Sequence, residues 1–270
     1  MKSLPIRTVF AVLLIGLLAL VLWLGGWVQA IVLGLFSVIA VHEMTDIFRN
    51  KDIHPFSIPL LIMGGTEYIV LYKLGTSWLL LLAVLVFFAL MIERILNPKR
   101  TTLDLVASLC IMVYPLSMLL CLGAVGFGRT DYSRMALFCC FAGPCMADNA
   151  AYMIGSVFGK HKLCPAISPN KTIEGAVSGV IFGALGGVLA FYVQKLWGFD
   201  ISIWFYIIVC FIGGIIGQFG DLLSSTFKRW AGVKDFGNLI PGHGGVMDRV
   251  DSLLFSIPSA YFCLLIAGII

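Results

Sequence analysis

Apolar runs of bilayer length recur along the whole chain, separated by short polar breaks. Nine candidates fall at roughly Thr8–Gly25, Trp27–Met44, Ile58–Leu74, Trp78–Ile95, Leu103–Gly126, Met135–Phe158, Gly175–Val193, Ile203–Gly220 and Ser252–Ile270. Each is close to the ~20 residues an α-helix needs to cross the hydrocarbon core. The pattern predicts an all-α, polytopic membrane protein of about nine transmembrane helices, five of them in residues 1–134 and the rest in 135–270. Lys2 and Arg7 precede the first run as they would in a secretory signal. A signal core spans only about 7–15 residues, so this longer run is read as a retained anchor.

Composition supports the same class. Hydrophobic residues make up 60% of the chain and charged residues 12%, with mean hydropathy +1.02. A soluble domain carries about 25% charged residues. With the N-terminus placed in the cytoplasm and nine alternating spans, Lys73, Arg129, Arg134 and Lys195 fall outside and the other 14 of the 18 Lys and Arg fall inside. Such a bias is what the positive-inside rule expects. It predicts a multi-pass protein of the cell inner (plasma) membrane, with N-terminus and polar loops cytoplasmic and C-terminus outside. No basic stripe lies beyond these short loops, which argues against a nucleic-acid partner. The eight Cys form no CxxC pair and read as small hydrophobes.

Three polar stations interrupt the apolar pattern on the cytoplasmic side. In the first, Asp148, Tyr152, Gly155 and Gly159 share a helical face, and Asp148 sits well inside an apolar run, where a carboxylate is expensive. It either hydrogen-bonds a neighbouring helix or serves a site. In the second, Ser168-Pro169 predicts a helix N-cap followed by Pro at the first helical position. That would put Lys171 in a first turn, where the dipole prefers an acid. A bound anion at the helix start would resolve the conflict; a topology-setting Lys is the alternative. Gly175, Gly179, Gly183 and Gly187 then recur every fourth residue, a surface for close helix packing.

The third station is the richest. Gly213, Gly217, Asp221 and Ser225 lie on one face, with Lys228 seven residues beyond Asp221. Four basic residues (Lys228, Arg229, Lys234, Arg249) and three acids (Asp235, Asp248, Asp251) then crowd a glycine-rich stretch ending at Asp251. The run Pro241-Gly242-His243-Gly244-Gly245 cannot be regular helix, and its N–H groups are candidates for a phosphate-cradling nest. Asp248 and Asp251 are expected to open the ninth span. Dipole stabilisation there is worth under ~1 kcal/mol each, too little to account for the cluster. Glycines, cations and carboxylates together point to phosphate and a metal ion. His243 would donate to phosphate, act as a general acid, or do neither. Glu67, inside the third run, stays open between interhelical bonding and a site role, while Glu43 and Asp104 are expected to be solvated at span edges.

The stretch Ser225…Lys228-Arg229…Lys234-Asp235…Gly237…Ile240-Pro241…His243-Gly244-Gly245…Asp248-Arg249…Asp251 resembles the phosphatidate cytidylyltransferase (CDP-diacylglycerol synthase) family. Asp148…Ala151-Tyr152…Gly155…Gly159-Lys160 and Ser168-Pro169-Asn170-Lys171-Thr172…Glu174-Gly175 resemble it as well. The resemblance covers about Asp148–Asp251; upstream, only the hydropathy pattern matches. It implies an integral membrane nucleotidyltransferase making CDP-diacylglycerol and pyrophosphate from CTP and phosphatidic acid, in phospholipid biosynthesis. It further implies Mg²⁺, with a second metal ion as an option, membrane lipids as surroundings, and a homodimer. Asp221, Asp248, Lys171 and Lys228 become the catalytic candidates. Asp221 and Asp248 are the candidate metal ligands, with Asp251 as a further one. Ser168, Asn170, Arg229, Lys234, His243, Gly244, Gly245, Arg249, Ser225 and Asp148 become the phosphate- or substrate-binding candidates.

Two other readings use the same residues. A cytidylyltransferase acting on another lipid phosphate would carry the same chemistry. An anion transporter would also use intramembrane acids and basic loops, but transporters often show paired repeats and charges near the midplane. Here no repeat is evident and the charges gather at one face.

Overall fold

The structure is a computed structural model that describes residues 21, 24–127, 133–196, 198–239 and 244–268. The chain divides into two compact units. The first comprises 1–127 with 230–249, and the second 128–229 with 250–270.

In the first unit, α1 (Gly26–Arg49), α2 (Ser57–Leu74), α3 (Thr76–Leu96), α4 (Thr102–Ile111) and α5 (Met118–Gly126) follow one another. Met44, Ile47, Phe56, Leu60, Met63, Tyr68, Leu90, Ile111 and Leu116 form its core. Helices α1 and α2 approach closely where a Cβ on Gly34 would meet the carbonyl oxygen of Gly65 at 3.4 Å. Between α4 and α5, Met112–Ser117 is π-helical, with Tyr114 off helical geometry. The hydropathy run Leu103–Gly126 is therefore not one regular helix: Pro115 supplies no N–H and its ring crowds the preceding turn. Most of α3 is exposed, including Leu80, Leu85, Phe88 and Ile92. In a membrane protein such a face meets lipid.

The Asn50–Phe56 connection is tied down by polar side chains. Thr101 and Asp104 form a reciprocal capping box at the start of α4. Asp104 Oδ1 also accepts the His54 N–H at 2.6 Å, and Ser108 Oγ accepts that of Phe56 at 2.7 Å. Asp104, expected to be solvated, is 3% exposed, because these amides replace its water.

The second unit holds α6 (Ser133–Phe158), a hairpin of β1 (Lys162–Cys164) and β2 (Ser168–Thr172), α7 (Ile173–Leu196), α8 (Ile203–Ala231) and α10 (Leu253–Ile266). The four-residue α9 (Met247–Val250) lies at the junction of the two segments in sequence. The glycine stripe of α7 packs inside this unit. A Cβ on Gly179 would lie 3.0 Å from the Ala147 carbonyl oxygen of α6, and one on Gly183 3.2 Å from Gly214 Cα of α8.

Among the described residues, six helices are long and apolar enough to cross a membrane: Gly26–Arg49, Thr76–Leu96, Thr102–Gly126, Met135–Phe158, Ile173–Leu196 and Ile203–Ala231. The expected count of nine is not confirmed by these six. The first candidate falls almost wholly outside the described residues. Helix α2 carries Glu67 and Lys73, which dilute its apolar character. Helix α10 has 14 residues, ~21 Å at 1.5 Å per residue against a ~30 Å core. The chain is a multi-pass helical membrane protein, and its described residues include one small two-stranded sheet.

Candidate active site

The second unit gathers its polar residues from α6, β2, α8 and the turn before α10. The expected helix start at Ser168-Pro169 is replaced by strand: Ser168–Thr172 pairs antiparallel with Lys162–Cys164, in register Lys162 with Thr172 and Cys164 with Ser168. The helix begins at Ile173, where Thr172 Oγ1 accepts the Gly175 N–H at 3.2 Å. Ser-Pro suits an extended residue as well as a helix start, and here pairing with β1 decides. Glu174 then accepts from His161 Nδ1 at 2.6 Å, tying the hairpin to α7. Lys171 is thus on a strand and not in a helical first turn, so the dipole conflict disappears.

The Lys171 side chain nevertheless reaches the polar cluster. Its Nζ lies 2.6 Å from Asp221 Oδ2 of α8. Two turns further along α8, the buried Lys228 places Nζ 3.9 Å from Asp251 Oδ2. Ser224 Oγ donates to the same oxygen at 3.5 Å, and Ser225 beside it is buried. Asp148 Oδ2 accepts from Ser252 Oγ at 2.6 Å, and its carboxylate feels both Asp221 and Lys171. Burial, then the neighbouring Asp221, pushes the Asp251 carboxyl up to about 7, with Lys228 pulling it back down. Arg229 Nε donates to the Ile167 carbonyl at 3.3 Å, so this guanidinium also braces the hairpin turn. Ser168 is half-buried on β2 and Asn170 exposed.

The first unit holds the remaining motif residues, and there three expectations are corrected. Asp248 does not open the last span. It stands in the short helix α9, and α10 begins only at Leu253. Nor is its structural role confined to a weak dipole term: buried Asp248 Oδ2 accepts the N–H groups of Phe236 at 2.8 Å and Gly245 at 3.0 Å. The Gly245 amide is therefore engaged by a carboxylate and not left to cradle phosphate. Gly244 has φ +82°, and a Cβ there would sit 2.8 Å from Asp248 Oδ2, so the turn needs glycine on both counts. Lys234 and Arg249 are exposed. His243 lies outside the described residues.

The third correction is Glu43. Expected in water, it is 6% exposed and accepts the N–H groups of Val246 at 2.9 Å and Met247 at 2.8 Å. The signal that was available is its place near the end of an apolar run, where an acid is costly without partners. Glu67 is wholly buried, with no hydrogen-bond partner for either carboxylate oxygen among the described residues.

The donor set suits a hard cation. The acids Asp148, Asp221 and Asp251 crowd one unit closely enough to repel one another, a situation that added positive charge relieves. Among the described residues no group of three or more His, Cys, Asp or Glu forms a ready metal cage. Mg²⁺ asks for less: it takes one or two carboxylates and fills its shell with water and substrate phosphate.

Comparison with known proteins adds an independent line. The model of the Cytidylyltransferase family matches residues 5–267. The chain is 34% identical over 266 residues to a phosphatidate cytidylyltransferase of Staphylococcus saprophyticus, covering 94% of this chain and 96% of that one. A phosphatidate cytidylyltransferase of Staphylococcus haemolyticus is 33% identical over the same shares. One from Staphylococcus aureus is 31% identical over 265 residues, again covering 94% of this chain and 96% of that protein.

Proposed function

The chain belongs to the cytidylyltransferase family, and from that premise we propose how its residues transfer a cytidylyl group. It is a membrane enzyme that joins CTP to phosphatidic acid, giving CDP-diacylglycerol and releasing pyrophosphate. The lipid phosphate oxygen forms a bond to the α-phosphorus of CTP as the bond from that phosphorus to pyrophosphate breaks. A phosphate monoester has a second pKa near ~6 and is anionic at neutral pH, so no general base is needed. The barrier is instead the meeting of two polyanions, which calls for positive charge and in-line positioning.

The observation that carries this reading is the clustering in the second unit of Lys171 with Asp221 and Lys228 with Asp251. Cations and carboxylates from β2, α8 and the turn before α10 meet there. Lys171 and Lys228 are the cations proposed to face the phosphates, with Arg229, Lys234 and Arg249 sharing the remaining charge. Asp221 and Asp248 are the proposed Mg²⁺ ligands, with Asp251 as a further candidate. Bound Mg²⁺ would supply Lewis acidity and neutralise phosphate charge. Ser168, Asn170, Ser225, His243, Gly244 and Asp148 complete the proposed binding set, while Gly245 serves it only by bonding Asp248. The site is proposed to face the cytoplasm of the inner membrane, where soluble CTP and a lipid both have access, and the enzyme to act as a homodimer.

The deciding assay uses purified protein in mixed micelles with CTP, phosphatidic acid and Mg²⁺. Equimolar liponucleotide and pyrophosphate are expected. Turnover of CTP without the liponucleotide, or no turnover with Mg²⁺ present, would overturn the reaction.

A further inference from the structure

Glu43 is an acid of α1 that no step above uses, yet it is among the best-satisfied side chains in the first unit. Each of its carboxylate oxygens takes one backbone N–H, Oε1 from Val246 and Oε2 from Met247. The next acid along, Asp248, takes the N–H groups of Gly245 and Phe236 on a single oxygen. Two buried carboxylates therefore share four amide donors, three of them from the consecutive residues Gly245, Val246 and Met247. Two neighbouring glycines leave room for Glu43 by lacking a side chain. A Cβ on Gly237 would come within 2.8 Å of Glu43 Oε1, and one on Gly245 would overlap both Glu43 oxygens. Val246 and Met247 are themselves buried, so their amides have no water to fall back on, and an unpaired buried donor is costly.

Resting on the cytidyl-transfer reading above, we infer that Glu43 is a positioning residue for the reaction: its carboxylate clasps the Val246 and Met247 amides and so fixes where the adjacent Asp248 presents its side chain. The clasp closes 203 residues of chain onto the backbone immediately before a proposed metal ligand. Removing it frees two peptide units, and displacement of about 1 Å at a reacting constellation is enough to cost on the order of 10²-fold in rate. A glutamine keeps one acceptor oxygen and loses the other, so it should hold the loop in part.

The test uses the full-length protein in detergent and compares wild type with Glu43→Ala, Glu43→Gln and Gly245→Ala. Hydrogen exchange is read at the Val246 and Met247 amides. Alongside it come kcat, KM for CTP and the Mg²⁺ concentration giving half-maximal rate. Glu43→Ala is expected to speed exchange at both amides about tenfold or more, as loss of a charge-assisted hydrogen bond implies. It should lower kcat on the order of 10²-fold and raise the Mg²⁺ requirement, while KM for CTP moves little. Glu43→Gln should fall between. Gly245→Ala should resemble Glu43→Ala, and adding it to Glu43→Ala should cost little more, because the clashing carboxylate is gone. Should Glu43→Ala fail to fold, Glu43→Gln and Gly245→Ala carry the same comparison. Unchanged exchange at both amides would overturn the clasp. Faster exchange with kcat and Mg²⁺ dependence unchanged would overturn the positioning role. A wild-type protein inactive on CTP and phosphatidic acid would overturn the reaction and not the clasp, which exchange decides by itself.

Discussion

Replacing Lys171 separates two jobs that the 2.6 Å contact with Asp221 combines. At that distance the gross Coulomb term is ~6 kcal/mol for an effective dielectric of about 20. The two side chains are 26% and 30% exposed, so solvent cancels much of it. Exposed pairs are worth ~0–1 kcal/mol net, and breaking a fully buried pair costs about 3–5 kcal/mol. A loss of ~1–2 kcal/mol of stability is therefore expected for Lys171→Met. Total stability of about 5–15 kcal/mol leaves such a variant folded. If Lys171 also faces phosphate charge, kcat/KM should fall on the order of 10²–10³-fold, as for other lost transition-state contacts. Lys171→Glu should be worse in both respects, since it brings a carboxylate against Asp221 with Asp148 and Asp251 nearby. The double variant Lys171→Met with Asp221→Asn should regain stability, because no unpaired charge remains, yet stay inactive. Thermal unfolding in detergent and liponucleotide formation are measured on the same preparations. A Lys171→Met enzyme with near wild-type kcat/KM and a lowered melting temperature would reduce Lys171 to a structural ion pair and refute the argument.

Further outcomes follow from other parts of the molecule. Asp221→Asn and Asp248→Asn should each lower activity by orders of magnitude with folding largely kept, and the double variant should be barely worse than either single, as for residues acting as a unit; strictly additive losses, or full activity in EDTA, would rule out a shared ion. In a Cys-free background, single Cys at the exposed positions Lys162 and Asn238 should resist membrane-impermeant reagents in intact cells; labelling from outside would reverse the topology. Gly187→Ala should destabilise by about 1–3 kcal/mol, because its Cβ would fall 2.6 Å from Ile207 Cα, whereas Gly65→Ala, with only Val38 Cγ2 at 3.6 Å, should be nearly neutral in denaturant titrations.

The helices were legible because each apolar run must satisfy its backbone within itself, a local rule that composition alone expresses. The hairpin at Ser168–Thr172 was not, since Ser-Pro serves a helix start and an extended strand equally and only pairing with the preceding segment Lys162–Cys164 chooses between them. The break at Met112–Ser117 had a visible cause in Pro115, but hydropathy averages over it. Asp104 lay within reach of local reading through Thr101 three residues before it; its burial was hidden because the His54 amide comes from another loop.

Glu43 marks the sharper limit and also explains why the motif is so long. Nothing in the sequence around residue 43 names Val246 or Met247 as partners, so its burial could not be read from local spacing. Within the motif, Gly244, Gly245 and Asp248 are engaged in building the turn, since a side chain on either glycine would strike a carboxylate and Asp248 holds two amides. Arg229 likewise holds the hairpin carbonyl of Ile167. Residue types that look like phosphate chemistry in sequence are thus also fixed by the backbone they must hold. A carboxylate that has already bound two amides is rigid before any cation arrives, and a rigid ligand loses less entropy on binding than a mobile one. On that argument the structural bonds of Asp248 support its proposed role at the metal, because they pre-organise it.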